Sequence, residues 1–235
     1  MANKNQGAEP RRQRVVRKRR SPHQSAHRAR ARHAVKPPPP APVAPFNPFL
    51  AFPPAPPPQE DPCALEPREV MFGGQPHVLR PLGPADEARL ISLFNSHTGE
   101  TIRQRYGYQI SEMTPERARR LVGVDQSRDV ALGVFERAPD GEQVLHAVGR
   151  YLLDATGRSA EAAFVVRENK RGLGICTALL RALLQVARTR GMSFLGAQVQ
   201  ADNAPMLGIF RRHGGRVKPI PGADAMEVFV PTAPP

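Results

Sequence analysis

The stretch that most restricts how this chain can fold runs from Ala162 to Leu180, AAFVVRENKRGLGICTALL. Its first five residues are apolar, with the β-branched and aromatic bias of a buried strand. A charged stretch and two glycines follow. An apolar stripe then recurs at helical spacing through Ile175, Leu179, Leu183 and Val186, with Arg181, Gln185 and Arg188 on the opposite face. Gly191 suits the position just past the end of that helix. A strand, a glycine turn and a helix with no linker between them aim several unpaired backbone N–H groups at one place. Those donors and the positive end of the helix dipole attract phosphate. Arg171, just before the turn, adds a fixed charge. The sequence therefore predicts an anion site for a phosphorylated cofactor.

Spacing narrows the choice. A P-loop needs a Gly-Lys-Ser/Thr ending, and no lysine follows Gly174. A dinucleotide fingerprint needs a third glycine where Thr177 stands. What remains is Arg171-x-x-Gly174-x-Cys176, followed by Thr177-Ala-Leu-Leu180. This resembles the acetyl-CoA pyrophosphate signature of the GNAT acetyltransferases, Arg/Gln-x-x-Gly-x-Gly/Ala, with Cys176 departing from the last position. Downstream, Val199-Gln-Ala-Asp-Asn203 and Phe210-Arg-Arg-His-Gly214 are similar to the family's next strand and helix. Upstream, Val78-Leu-Arg-Pro81, Asp86-Glu-Ala-Arg-Leu90, Arg128-Asp-Val-Ala-Leu132 and Ser159-Ala-Glu161 resemble the Pat-type protein-lysine acetyltransferases. The match runs with interruptions from about Val78 to Gly214.

The resemblance implies a site. Backbone groups of Val165 and Val166 would pair with the pantetheine arm of acetyl-CoA. Arg171, Gly172, Gly174, Cys176 and Thr177 would surround the pyrophosphate, and Asn203 would lie near the thioester. Glu161, where the Pat-type pattern carries its catalytic glutamate, would be the general base, against the alternative of a surface carboxylate at a strand edge. Phe210 stands where many family members have a tyrosine that protonates the leaving thiolate, so that proton needs another source. His146 and His213 are alternatives, although a lone histidine is more often structural. Cys176 carries a second expectation, that a thiol at a helix N-terminus has a depressed pKa and that its modification blocks the cofactor.

The rest of the chain is organised around this segment. Of the formal net charge of +13, residues 1–40 hold twelve Lys/Arg and one acid, so the basicity belongs to the tail and not to the fold. Residues 1–36, arginine-rich and nearly free of large apolar groups, are expected to be disordered. Residues 37–68 form a proline-rich linker, with 13 prolines between 37 and 62 and Phe46, Phe49, Leu50 and Phe52 as incidental aromatics or docking points. Residues 69–231 are assigned to one GNAT acetyltransferase domain and 232–235 to a short tail.

The expected fold class is α/β: a mixed, mostly antiparallel twisted sheet flanked by helices. Strands are predicted at Val78–Arg80, Val130–Glu136, Gln143–Leu153, Ala162–Val166, Phe194–Val199 and Glu227–Val230. Helices are predicted at Pro84–Phe94, from Thr114 into Val122, from Gly174, and at Ala204–Arg212. Two cysteines, Cys63 and Cys176, make no disulfide framework, and no cluster has zinc spacing. With no apolar stretch of membrane-crossing length and no signal core near Met1, a cytoplasmic protein is expected.

The expected activity is acetyl transfer from acetyl-CoA to a primary amine on a protein or small molecule, a protein lysine first. Two rivals stand beside it: an acyl-CoA-sensing GNAT domain with little catalysis, and a nucleic-acid-associated protein acting through its basic tail. Segment 1–36 could bind nucleic acid weakly and non-specifically, or an acidic protein.

Overall fold

The computed structural model of the chain describes residues 65–106, 110–138, 141–154 and 159–233. The arginine-rich segment, the linker up to residue 64 with its four large apolar residues, Cys63, and Pro139-Asp140 between the strands predicted at Val130–Glu136 and Gln143–Leu153 lie outside the described residues.

Strands β1 (Arg68–Phe72) and β2 (Gln75–Pro81) form a tight hairpin, and a 3-10 turn at Pro84–Asp86 leads into helix α1 (Glu87–Asn95). Helices α2 (Gly99–Tyr106) and α3 (Pro115–Val122) follow. Thr114 starts α3 as its chemistry predicts, its hydroxyl accepting from Arg117 N at 3.3 Å with Pro115 in the first turn. Strands β3 (Val130–Arg137) and β4 (Gln143–Leu153) pair antiparallel, and β5 (Ala160–Val166) returns beside β4. A 3-10 turn at Glu168–Lys170 precedes α4 (Ile175–Thr189). The chain closes with β6 (Phe194–Gln200), α5 (Ala204–Arg212), β7 (Arg216–Pro219) and β8 (Ala225–Pro231).

These strands make one sheet in the order β1-β2-β3-β4-β5-β6-β8-β7. Every neighbouring pair is antiparallel except β5 and β6, the two ends of the β5–α4–β6 crossover. The fold is thus the expected α/β arrangement, a mixed sheet with helices on both faces.

The alternation of side chains along the strands builds a core on each face. On one, Leu79, Val134, Ala147, Ala162 and Ala197 meet Leu179 and Leu183 of α4 and Phe210 of α5. On the other, Phe135, Val148 and Val165 meet Leu90, Leu93 and Phe94 of α1 and Ala118 and Val122 of α3. Gly149 lets α4 come close, since a Cβ there would lie 3.0 Å from Leu179 Cβ and 3.1 Å from the Phe164 ring. Leu179 and Leu183 have no exposed surface, so truncating either to alanine costs about 2–5 kcal/mol.

Three elements depart from the sequence reading. No strand is predicted where β1 forms, across the boundary between residues 68 and 69, or where β7 forms, only four residues long. α2 is almost wholly polar and buries only Thr101, so no apolar period announces it. At the other end, Thr232 is buried, its amide donating to Ser193 O at 3.0 Å and its hydroxyl to Met192 O at 2.6 Å. Folded structure therefore continues just past the boundary set at 231.

Candidate active site

β5 and β6 pair at a single position, Glu161 with Gly196, and then part. The edge of β5 that faces β6 forms no ladder beyond it, while its other edge is paired with β4 along its whole length. A cavity of about 470 Å³ opens in this wedge, against the starts of α4 and α5. Val165, Val166, Arg171 and Gly172 line it, as do Gly174, Cys176, Thr177 and Asn203. Every residue expected to hold the cofactor is therefore brought to one place.

The turn into α4 has the backbone that the two glycines allow. Gly172 and Gly174 take φ of 78° and 86°, and a Cβ on either would meet nothing within 4 Å. Conformation and not crowding demands glycine here, because a side chain in the left-handed region costs about 1–2 kcal/mol. Gly174 is the N-cap of α4 and no side chain caps it, so the first helical N–H groups face the cavity unclaimed.

Two clamps hold this turn. The Glu168 carboxylate accepts from Thr98 N at 2.8 Å and from the hydroxyls of Thr98 and Thr101 at 2.7 Å each. These bonds, the Thr101 hydroxyl first, pull Glu168 down to about 2. Arg171 donates to the same Thr101 hydroxyl at 2.6 Å. On the far side, Lys170 Nζ donates to Glu136 at 2.5 Å, and His146 Nε2 lies 2.7 Å from the same oxygen. Lys170 is the main reason that Glu136 sits below the ordinary carboxylate range. His77, Glu136 and His146, on three adjacent strands, set one ligand atom each within 4.8 Å of one another. No spacing along the chain announces this cluster, and here the Lys170 ammonium serves its carboxylate.

One expectation is revised, that for the Cys176 thiol. The Cys176 sulfur packs against Met206 Sδ at 3.6 Å, and burial pushes its thiol up to about 12 instead of down. The residue departs from the family pattern with its side chain turned into the packing. Asn203 caps α5, its Oδ1 accepting from Met206 N at 3.2 Å. Phe210 is buried edge-on to Phe164, with ring centroids 6.0 Å apart, and has no proton to give. His146 belongs to the Glu136 cluster and His213 Nδ1 lies 2.9 Å from Ile209 O, so both are structural here.

Glu161 is exposed and lines a second cavity, of about 560 Å³, on the α1–α3 face. The two cavities share Arg105, Ala163, Ala197 and Gln198, so they meet where β5 and β6 part. Around Glu161 stand Arg105, Tyr106 and Arg150, none singled out from the sequence. Arg150 could have been noticed as the charge inside the otherwise uncharged, largely apolar run Ala147–Leu153. Arg105 and Tyr106 lie on α2, whose helical character has no apolar signature.

The acetyltransferase (GNAT) family pattern matches residues 97–214, half of the chain, and the chain belongs to that family. The family takes acetyl from acetyl-CoA. An acetyltransferase of Pseudomonas aeruginosa is 26% identical over 138 residues, which are 59% of this chain and 74% of that protein. Among solved structures, the GNAT domain of S. lividans PAT matches with a TM-score of 0.62 at 24% identity, over 70% of this chain and 96% of that one. A spermidine N-acetyltransferase from Vibrio cholerae, in complex with CoA and spermine, matches with a TM-score of 0.51 at 14% identity, over 66% of this chain and 95% of that one. At these identities the two structures speak for the fold. No helix among the described residues is long and apolar enough to cross a membrane.

Proposed function

We propose that this chain is an N-acetyltransferase that moves acetyl from acetyl-CoA to a primary amine, a protein lysine first among acceptors, with Glu161 as general base. The observation that carries this reading is the wedge between β5 and β6. There an uncapped helix start, a glycine turn, Arg171 and an unpaired strand edge line one cavity. A coenzyme A ligand needs those groups. Its phosphates take hydrogen bonds from a helix start, and its pantetheine amides pair with a strand edge. Val165 and Val166 would supply the edge. Arg171, Gly172, Gly174, Cys176 and Thr177 would surround the pyrophosphate, and Asn203 would lie toward the thioester. Bound there, acetyl-CoA supplies an activated acyl carbonyl.

The acceptor side then sets the requirement on the protein. A lysine amine of pKa about 10.4 is almost wholly protonated near neutrality, and freeing its lone pair costs roughly 4–5 kcal/mol at pH 7. Glu161 takes that proton directly or through one water. Its place in the cavity that opens into the wedge supports the role. With Phe210 in the floor, the proton for the departing thiolate comes from solvent.

Thiol release from acetyl-CoA with lysine peptides tests this. Glu161→Gln is expected to lower kcat about 10²- to 10⁴-fold while calorimetry shows unchanged acetyl-CoA affinity. A full rate in Glu161→Gln would remove the base, and no affinity for any coenzyme A derivative would remove the enzyme. Phe210 favours one second reading, an acyl-CoA sensor. Tight acetyl-CoA binding with no thiol release on any amine would select it.

A further inference from the structure

The second cavity crosses the sheet as a groove, with Arg150 of β4, Glu161 of β5, Gln198 of β6 and Glu227 of β8 along its floor. Strands lie about 4.8 Å apart, so this floor spans roughly 14 Å before the parting of β5 and β6 widens it. That length seats about four residues of extended chain, more than a free amino acid fills.

One end of the groove is cationic, with Arg150 and Arg105 side by side along it. Arg150 is only 6% exposed, and its buried Nε has no hydrogen-bond partner among the described residues. Neither Arg150 nor Arg105 forms an ion pair among the described residues. Arg105 lies with its guanidinium carbon 4.6 Å from the Tyr106 ring centroid. The charge of Glu161 acts on Arg105 and that of Asp129 on Arg150, and Asp129 already accepts from Leu153 N at 2.9 Å. Burial holds both guanidiniums below their ordinary basicity, and Arg105 lowers Arg150 further. A charge that deep is unfavourable unless paired, and an apolar side chain would serve a fold that had no use for it. The missing partner is an anion.

Its distance from the chemistry follows from register. Arg150 pairs with Ala163, and Glu161 is the diagonal neighbour on the same face, about 7–8 Å away along the backbone. An anion on Arg150 is therefore held beside the amine that Glu161 would deprotonate.

We propose that this groove takes a peptide whose acceptor lysine is flanked within two residues by an aspartate or glutamate, Arg150 and Arg105 binding that carboxylate while Glu161 faces the ε-amine. This rests on the acetyl-transfer reading and narrows its acceptor. Planar guanidiniums suit a carboxylate because two parallel N–H donors match its two oxygens.

The test uses the full chain and lysine hexapeptides that differ only in the residues flanking the lysine: Glu or Asp, Gln, or Arg. Acidic flanks are expected to raise kcat/KM about 10- to 100-fold over Gln, as charge-assisted pairing allows. Arg150→Met should erase that preference while its acetyl-CoA affinity by calorimetry reports an intact fold. Arg150→Lys should recover part of it. Equal rates on acidic and neutral peptides would overturn the proposal, as would free glutamate being acetylated faster than any peptide. Fluorescence anisotropy of the same peptides with coenzyme A present reads the charge ranking without turnover, so a failure of acetyl transfer leaves the groove decided separately. The ranking in the unmodified chain also decides the matter if Arg150→Met does not fold.

Discussion

A cysteine near the first turn of a helix is pulled two ways. The helix dipole favours the thiolate, and burial favours the thiol. At Cys176 burial wins, because the sulfur sits against Met206 and not over the open N–H groups of α4, and the thiol rises to about 12. Iodoacetamide near pH 8 should therefore label Cys176 slowly in the native chain and fast once the chain is unfolded, read peptide by peptide by mass spectrometry. Rapid native labelling would mean that the dipole governs after all. The same competition explains what was legible at this scale. Arg171, Gly172 and Gly174 announce themselves through local backbone chemistry, and they do line the wedge. The direction in which the Cys176 side chain turns depends on α5, 30 residues further on, and no local pattern contains it.

Among the elements, α2 does the most that its sequence does not advertise. Thr101 is tied to Glu168 and Arg171 on one bank of the wedge, and Arg103 reaches Asp202 at 2.5 Å on the other. The helix thus spans the mouth of the wedge by polar bonds, with Ile102 and Tyr106 as its only apolar packing on the α1–α3 core. An apolar period finds β3, β4, β5 and α4, whose faces are filled by packing, but it is blind to a helix placed by hydrogen bonds. This junction also carries a pH dependence. His97, just ahead of α2, has both ring nitrogens buried without a hydrogen-bond partner among the described residues, and burial holds it down at about 4. The neighbouring Glu168 works against that shift, while Arg171 and Arg167 reinforce it. A histidine whose folded pKa lies below its unfolded value binds fewer protons folded than unfolded, so stability falls as pH drops from about 6.5 to about 4. Glu168, depressed to about 2, adds a further loss from about 4.5 downward. Melting temperatures between pH 7 and 4.5 should therefore decline, and His97→Gln should flatten that slope. An equal slope in the variant would put the titration elsewhere.

At the scale of the whole molecule, charge is divided very unevenly along the chain. Residues 1–40 carry a net +11 out of the total of +13, so residues 41–235 are close to neutral. No aromatic lies among the arginines of residues 11–20, so any contact with nucleic acid is with phosphate and not with stacked bases. Binding of that kind gains its free energy from released counterions. Its affinity should therefore fall steeply between about 50 and about 200 mM salt, with a log–log slope of roughly −0.7 to −0.9 per phosphate engaged. The described residues that line the wedge and the groove all fall within residues 97–231, so removing residues 1–62 leaves every one of them in the chain. The truncated chain should release thiol from acetyl-CoA at the rate of the full chain and elute from immobilised DNA at far lower salt. If the truncation abolished transfer to peptides while sparing acetyl-CoA affinity, the tail would be part of acceptor capture. If DNA retention survived the truncation, the near-neutral remainder would have to hold a phosphate surface of its own.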